Sequence, residues 1–240
     1  MADDRQPVAL VTDFRGSAGA SICMSLAQAG FAVLVNGGHE EVFEIQSIDP
    51  SAAIFAVPFD ISSEGSVRAA FAQGLQQLGG IDVLVNNLYF WNEAALDNIT
   101  EEMWAEVINI GIKGSFYCCR QAATVMKAQQ SGKIIQVIGT SAFTGVYTQY
   151  ASGCAAVHSL TKSLAKELAP HVRVNSIATG LLDEPWIDDG GPELRQMLTK
   201  DVPLKRLCRN DDLSEAVCYL ACGADFMTGQ MLVLDGGESM

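Results

Sequence analysis

Short apolar runs alternate with longer segments of helical periodicity from one end of the chain to the other. A short apolar run bounded by turn residues is typical of a buried strand, whereas apolar positions spaced three and four residues apart indicate a helix that packs on a sheet. The runs predict strands at Val8–Thr12, Ala32–Asn36, Ala53–Val57, Ile81–Asn86, Lys133–Ile138, Val172–Ile177 and Met231–Leu234.

The segments between these strands carry the helical pattern. It predicts helices at Ser21–Ala29, Ser63–Leu78, Thr100–Lys127, Gln149–Leu168 and Asp211–Ala221. Because strands and helices alternate, we expect right-handed crossovers and a single α/β domain over residues 1–240, with a doubly wound parallel sheet of about seven strands and helices on both faces. Residues 181–206 are the least regular stretch and are interpreted as a flexible substrate flap over the carboxyl edge of the sheet, where such folds bind ligands.

The composition of the chain limits the classes of partner that it could bind. The formal net charge of −13 argues against binding to a nucleic-acid backbone or an anionic membrane surface, since both would repel the chain. No apolar run reaches the roughly 18 residues that suggest a membrane-spanning helix, and the acidic start, residues 1–5, has no apolar signal core. The seven scattered cysteines are typical of small buried side chains in a reducing compartment. These features predict a cytoplasmic protein, and the charge does not identify its substrate.

Six short motifs occur in a consistent order along nearly the whole chain. They are Asp60-Ile61, Asp82-Val83-Leu84-Val85-Asn86-Asn87, Leu160-Thr161-Lys162-Ser163-Leu164-Ala165-Lys166-Glu167-Leu168, Arg173-Val174-Asn175, Pro203-Leu204, and Thr228-Gly229-Gln230 with Asp235-Gly236-Gly237. On these motifs the chain resembles the short-chain dehydrogenase/reductase family. The resemblance implies a Rossmann fold with NAD or NADP as the cofactor. It implies a small-molecule substrate, with hydride transfer between nicotinamide and a carbonyl or alcohol. It also implies a homotetramer or homodimer built on the two long helices and the last strand.

The phosphate-binding turn departs from the family pattern Thr-Gly-x-x-x-Gly-x-Gly. The chain reads Thr12-Asp13-Phe14-Arg15-Gly16-Ser17-Ala18-Gly19, so that Asp13 and Ser17 replace the first two glycines and Gly19 keeps its place. A carboxylate ~5 Å from a phosphate charge costs about 3 kcal/mol at an effective dielectric near 20. Asp13 could instead point away or cap the turn, and Arg15 could offset it or hold an adenosine phosphate.

The resemblance implies a set of cofactor contacts along the chain: Thr12, Arg15, Ser17, Gly19, Asp60, Ile61 and Asn86. Asp60 is the acid that follows the third strand and contacts adenine in the family. The second strand ends in Asn36-Gly37-Gly38-His39, with neither an acid for a ribose diol nor a basic pair for a 2′-phosphate, so NAD and NADP both stay open. Leu88 and Tyr89 stand where the family has Ala-Gly, which places bulk near the ribose and nicotinamide.

The catalytic residues implied by the family are a tyrosine, a serine, a lysine four residues after the tyrosine, and an asparagine on the preceding long helix. Tyr150 matches the tyrosine, with Tyr147 as a second phenol, and Thr140 or Ser141 matches the serine. The lysine position is Cys154 and the asparagine position is Gly111, with Asn109 two residues away. His158 and Lys162 lie on the same helix face as Cys154, but at about 12 and 18 Å along the axis from Tyr150 neither should reach it.

The substituted lysine limits what Tyr150 can do. A tyrosine with an ordinary pKa near 10 needs a shift of about three units to act as a base at neutral pH, and a neutral thiol supplies no positive charge for it. Donation of a proton to a carbonyl oxygen remains open. Three hypotheses follow: an NAD(P)-dependent oxidoreductase with a remodelled site, a cofactor-independent relative such as a lyase or halohydrin dehalogenase, and a catalytically impaired scaffold or ligand sensor. Dehalogenation itself would require an arginine that is missing at position 154.

Overall fold

The computed structural model describes residues 5–13, 16–88, 90 and 94–240. Within them the strands are β1 (Val8–Val11), β2 (Ala32–Val35), β3 (Ile54–Ala56), β4 (Val83–Asn87), β5 (Gly132–Gly139), β6 (Val172–Thr179) and β7 (Met231–Leu234). All pairings are parallel, and the strand order in the seven-stranded sheet is β3-β2-β1-β4-β5-β6-β7. The order reverses between β1 and β4, which opens a crevice at their carboxyl ends. The predicted doubly wound parallel sheet is therefore confirmed.

The helices lie between the strands in sequence. They are α1 (Gly16–Gln28), α2 (His39–Ile48), α3 (Glu64–Leu78), α4 (Glu101–Glu106), α5 (Ser115–Gln129), α6 (Ser141–Thr144), α7 (Thr148–Leu168), α8 (Pro185–Asp189), α9 (Gly191–Thr199) and α10 (Asn210–Cys222). A 3₁₀ turn spans Leu96–Asn98, and a π-helical segment spans Val107–Gly114. No helix in the described ranges is both long enough and apolar enough to cross a membrane.

Two apolar layers sandwich the sheet, because successive residues of a strand point to opposite faces. On β1, Val8 and Leu10 face the layer that contains Phe71 of α3 and Met126 of α5. The intervening Ala9 and Val11 face α1, α2 and α10. The alternation explains why these strands appear in the sequence as unbroken apolar runs.

Three helical predictions differ from the structure. Helix α2 was not predicted, and α1 begins at Gly16 rather than Ser21, so Ser17 and Gly19 lie inside the helix. The predicted unbroken helix Thr100–Lys127 is interrupted by the π-helical segment, although Thr100 does cap α4 by accepting a hydrogen bond from the amide of Met103 at 3.4 Å. The π-helical segment is 8 residues long, too short for periodicity to distinguish it from the α-helix on either side.

The predicted flap contains two short helices, α8 and α9. Arg195 of α9 makes two bonds of 2.8 and 2.9 Å to the carboxylate of Asp183 and one of 2.7 Å to Asp188. An isolated bridge pairs Leu182 with Cys208 at the far end of the same stretch. Within residues 181–206, at the carboxyl edge of the sheet, Arg195 therefore links α9 to Asp183 and Asp188 by ion pairs.

Candidate active site

Tyr150 lies in the first turn of α7, close to the carboxyl end of β5. A Cβ built on Gly139, the last residue of β5, would come within 2.6 Å of the Tyr150 hydroxyl oxygen. Such a contact is too short for any real side chain, so the strand position that faces the phenol has to be glycine in this arrangement. Tyr147, the second candidate phenol, immediately precedes α7 with a positive φ of 63° and is exposed.

The two hydroxyl residues predicted to orient a substrate follow directly after Gly139. The amide of Thr140 donates to the carbonyl of Thr179 on β6 at 2.9 Å, which fixes the backbone at the strand end. Ser141 begins α6 and is buried. Thr140 and Ser141 thus follow Gly139 by one and two residues in the chain. Gly139 itself, which faces the Tyr150 hydroxyl, carries no hydroxyl group.

A buried thiol occupies the position one helical turn after Tyr150. Cys154 has no exposed surface, and its Sγ accepts hydrogen bonds from the amide of Gly139 at 3.4 Å and from the Tyr150 hydroxyl. Burial raises the pKa of the Cys154 thiol above its ordinary value, although these two hydrogen bonds oppose the rise. The thiol therefore stays neutral at physiological pH and places no positive charge beside the phenol.

The two cations considered as substitutes for the missing lysine are directed elsewhere. The ring Nδ1 of His158 is 3.2 Å from the Ser176 hydroxyl on β6, and burial lowers the pKa of this histidine. Lys162 is exposed and lines a surface cavity together with Lys166. The expectation that neither reaches Tyr150 agrees with these positions.

Phe90 fills the space beside Tyr150. The two ring centroids are 5.3 Å apart with planes tilted by 49°, and Phe90 is 3% exposed. A Cβ on Gly111 would lie 3.1 Å from this ring, and one on Gly153 would lie 2.9 Å from it. The position where the family keeps its asparagine thus packs against an aromatic ring. Asn109 accepts a hydrogen bond from Lys113 at 3.1 Å instead.

The turn after β1 is braced by two asparagines. Asn87 donates its backbone amide to the Thr12 hydroxyl at 3.1 Å and its side-chain amide to the Asp13 carbonyl at 3.4 Å. The side chain of Asn36 donates to the Thr12 carbonyl at 3.0 Å and accepts from the Phe59 amide at 2.9 Å. This network fixes the backbone at the crevice between β1 and β4. Arg15 and Tyr89, both named in the sequence predictions, lie outside the described residues.

Asn86 points away from this crevice. It is 1% exposed, and its side-chain amide donates to Gln136 at 3.0 Å and contacts Cys119 of α5. Strand alternation explains the difference, because Asn86 and Asn87 face opposite sides of β4. Asn87 is therefore the crevice residue that sequence reasoning missed, and the alternation along β4 was the signal that could have identified it.

The adenosine end of the crevice carries the two predicted residues after β3. Asp60 is exposed, and one of its carboxylate oxygens accepts from the amide and the hydroxyl of Ser62 at 2.9 and 2.7 Å. Ile61 is buried, and a Cβ on Gly114 would lie 2.9 Å from its side chain. An adenosine group fits beside the exposed carboxylate of Asp60, the apolar side chain of Ile61 and the half-buried turn at Gly37.

The phosphate segment fits a dinucleotide less simply. Ser17 lies in the first turn of α1, where free amides favour an anion, and its hydroxyl donates to a carboxylate oxygen of Glu184 at 3.2 Å. Asp13, 5% exposed, is a second acid, in the segment that follows β1. The start of α1 therefore suits the phosphates of a dinucleotide, whereas the Glu184 carboxylate bonded to Ser17 opposes their charge. Glu184 was not singled out from the sequence, since nothing in its own segment indicates contact with Ser17.

Comparison with protein families matches residues 15–239 to the model described as enoyl-(acyl carrier protein) reductase. The chain is 33% identical over 241 residues to 3-oxoacyl-(acyl-carrier-protein) reductase FabG of Staphylococcus aureus, covering 97% of this chain and 98% of the relative. It is 31% identical over 247 residues to nodulation protein G of Azospirillum brasilense, with the same two coverages.

Solved structures give the same result. A gluconate 5-dehydrogenase from Burkholderia cenocepacia, in complex with NADP and tartrate, superposes with a TM-score of 0.89 at 28% identity, covering 97% of this chain and 95% of that one. A protein described as a short-chain alcohol dehydrogenase from Sinorhizobium meliloti superposes with a TM-score of 0.89 at 26% identity, covering 98% and 97%. The sequence matches and the structural superpositions therefore both extend over nearly the entire chain.

Proposed function

The chain belongs to the short-chain dehydrogenase/reductase family, and on that premise we propose that it is an NAD(P)-dependent oxidoreductase with a remodelled site, acting on a carbonyl or alcohol. The observation that carries the proposal is the position of Tyr150, whose hydroxyl stands at the carboxyl end of β5 beside the crevice of the sheet. The related gluconate 5-dehydrogenase holds NADP on the same fold.

Reduction of a carbonyl is the direction that this site supports. When bound, the reduced nicotinamide supplies a hydride. Tyr150 holds the proton that the carbonyl oxygen takes up, and Thr140 and Ser141 orient that oxygen by hydrogen bonding. Use of the phenol as a base is disfavoured because Cys154 is a neutral, buried thiol. Phe90 packs against the phenol ring and so helps to fix its position.

For the cofactor we propose contacts from Thr12, Arg15, Ser17 and Gly19 to the phosphates and from Asp60 and Ile61 to adenine. Asn86 stabilises β4 from inside the core through its hydrogen bond to Gln136. Asn87 holds the turn after β1 through its hydrogen bond to Thr12. The second strand is followed by Asn36-Gly37-Gly38-His39, which has neither an acid for a ribose diol nor a basic pair for a 2′-phosphate, so NADH and NADPH both stay open. Both are therefore part of the first experiment.

The experiment is calorimetric titration of the purified protein with NADH and NADPH, followed by a spectrophotometric assay of cofactor oxidation with a panel of carbonyl compounds. Saturable binding of one cofactor, together with its oxidation by at least one carbonyl, is expected. Absence of binding by either cofactor at millimolar concentration would exclude the proposal.

A second candidate is a catalytically impaired scaffold or ligand sensor. The observation that favours it is the hydrogen bond from Tyr150 to the Cys154 thiol, which stands where the family has an ammonium group. This candidate predicts that the protein binds a dinucleotide but oxidises neither reduced form with any carbonyl. The same two assays separate it from the oxidoreductase.

We further propose a single domain over residues 1–240, a cytoplasmic location and assembly as a homotetramer or homodimer. All seven cysteines, each in the described part of the chain, are free thiols, which suits a reducing compartment. Phe116 on α5 and Ala155 on α7 are exposed, and burial of such small and apolar side chains would favour pairing of these helices. Light scattering coupled to size-exclusion chromatography measures the assembly state.

A further inference from the structure

Glu184 reaches across from the flap to the start of α1. It immediately precedes α8, but its side chain makes no capping hydrogen bond to that helix. The carboxylate instead accepts the hydrogen bond from the Ser17 hydroxyl at 3.2 Å. Ser17 is the second residue of α1, so an acid of the flap sits at the helix end where unpaired amides and the helix dipole attract an anion.

The flap holds Glu184 in this place. The amide of the preceding residue, Asp183, donates to the carbonyl of Cys208 at 2.8 Å, and the Asp183 carboxylate is bound by Arg195. The residue immediately before Glu184 is therefore held twice: its backbone amide is bonded to Cys208, and its side chain is bonded to Arg195 of α9. A cavity of about 410 Å³ lies beside the contact, and its charged lining consists of Asp183, Glu184, Asp188, Asp211, Arg195 and Arg209.

We propose that Glu184 determines cofactor affinity by acting as an internal anion that competes with the dinucleotide pyrophosphate for the N-terminus of α1. The inference rests on the proposed function, because it assumes that a dinucleotide uses this crevice. In folds of this type the pyrophosphate binds at the start of the helix after the first strand. A carboxylate bonded to Ser17 occupies a hydrogen-bond donor of that turn and repels a phosphate charge. Binding then requires Glu184 and the flap segment that carries it to move away.

The test compares Glu184→Gln with Glu193→Gln. The glutamine at 184 keeps the shape of the side chain and removes the charge, while Glu193 is an exposed acid of α9 outside the cavity lining. Both variants change the net charge by the same amount, so the control separates a local effect from that of the overall charge of −13. Affinities for NADH, NADPH and ADP-ribose are measured by calorimetry, and thermal unfolding shows that each variant is folded.

Glu184→Gln is expected to tighten binding of NADPH or NADH, and of ADP-ribose, by a factor of ten or more, while Glu193→Gln changes it less than twofold. Unchanged or weaker binding by Glu184→Gln would overturn the inference while leaving the oxidoreductase proposal intact. Binding by the variant but not by the natural protein would support the inference and contradict that proposal. If neither binds, both fail. Should Glu184→Gln not fold, Glu184→Ala is subject to the same criteria.

Discussion

The hydroxyl of Tyr150 lies so close to Gly139 that a Cβ on this glycine would approach the phenolic oxygen to 2.6 Å. The same hydroxyl donates to the Cys154 thiol, and the phenol ring packs on Phe90. The phenol thus contacts a glycine, a thiol and an aromatic ring, and the thiol stands at the position where the family has its lysine. This remodelling favours proton donation over proton abstraction.

Removal of the Tyr150 hydroxyl should abolish turnover without unfolding the protein. For Tyr150→Phe we expect a loss of kcat by at least about 100-fold, which is typical of removing a general acid. The free energy of unfolding should change by less than about 1 kcal/mol, since the ring still packs on Phe90 and the lost hydrogen bond ends on sulfur.

Steady-state kinetics and urea denaturation measure the two quantities for Tyr150→Phe. Tyr147→Phe is the matched control, because Tyr147 is exposed and its loss should leave kcat within about twofold. A large loss of kcat for Tyr147→Phe, with Tyr150→Phe unaffected, would move the acid to the other phenol.

An ammonium group at position 154 should increase the reaction rate at the expense of stability. Cys154→Lys places a positive charge one helical turn after Tyr150, which stabilises the phenolate left after proton donation. Because Cys154 has no exposed surface, we expect unfolding free energy to fall by about 1–3 kcal/mol from overpacking alone.

Cys154→Ala is the uncharged control for this substitution, and it should not accelerate the reaction. Single-turnover oxidation of the cofactor measures the chemical step, and thermal unfolding shows whether each variant is folded. A folded Cys154→Lys variant with an unchanged chemical step would show that the missing charge does not limit the reaction.

A side chain at position 139 should displace the phenol. Gly139→Ala introduces the Cβ that would meet Tyr150, so the ring has to shift, and we expect a loss of about 1–3 kcal/mol in stability and a larger proportional loss of kcat. Gly65→Ala is the contrasting substitution. Nothing lies within 4 Å of a Cβ there, so alanine in the first turn of α3 should change stability by less than about 0.5 kcal/mol.

Chemical denaturation and kinetics of both glycine variants check this prediction. Equal effects of the two substitutions on kcat would contradict the contact between Gly139 and Tyr150.

Much of the fold could be predicted because burial on both faces turns the strands into unbroken apolar runs. Seven strands were located within a few residues of their observed bounds, and β7 at Met231–Leu234 agrees at both ends. Helix α2 at His39–Ile48 was missed, and the first turn of α1 was missed because Gly16 and Ser17 are typical of a loop. Gly111, within the π-helical segment, packs against Phe90, and the local periodicity does not indicate such a contact.

The site was less predictable for the same reason. The sequence identified Tyr150 and the loss of the lysine at Cys154, since both depend on spacing along one helix. It did not reveal that Gly139 faces the phenol, or that Glu184 reaches Ser17, a contact that joins residues 167 positions apart. Such contacts arise from tertiary packing, and local patterns carry no record of them.

Stability should decrease in mildly alkaline solution because of buried thiols. Burial raises the pKa of Cys119 to about 12 from its ordinary value of 9.0, and it raises the pKa values of Cys23, Cys118 and Cys154. Above about pH 9 the unfolded chain releases thiol protons that the folded chain retains, so the unfolded state gains relative stability as pH rises. The stabilising contribution of each thiol is complete below that pH and is lost at about 1.4 kcal/mol per pH unit above it.

Urea denaturation at pH 8, 9 and 10 measures this dependence. Cys23→Ala should reduce the slope above pH 9 by about 1.4 kcal/mol per unit, since Cys23 is fully buried. An identical slope for the natural protein and Cys23→Ala would contradict the prediction.

Transfer of a labelled hydride tests the central claim most directly. The protein is incubated with NADH or NADPH deuterated at the hydride-donating carbon and with the carbonyl panel, and the product alcohols are examined by mass spectrometry. We predict one deuterium on the carbinol carbon of at least one product with the natural protein, and formation of that product at least about 100-fold more slowly with Tyr150→Phe. Absence of deuterium from every product, under conditions in which the cofactor is bound, would contradict the assignment as an oxidoreductase.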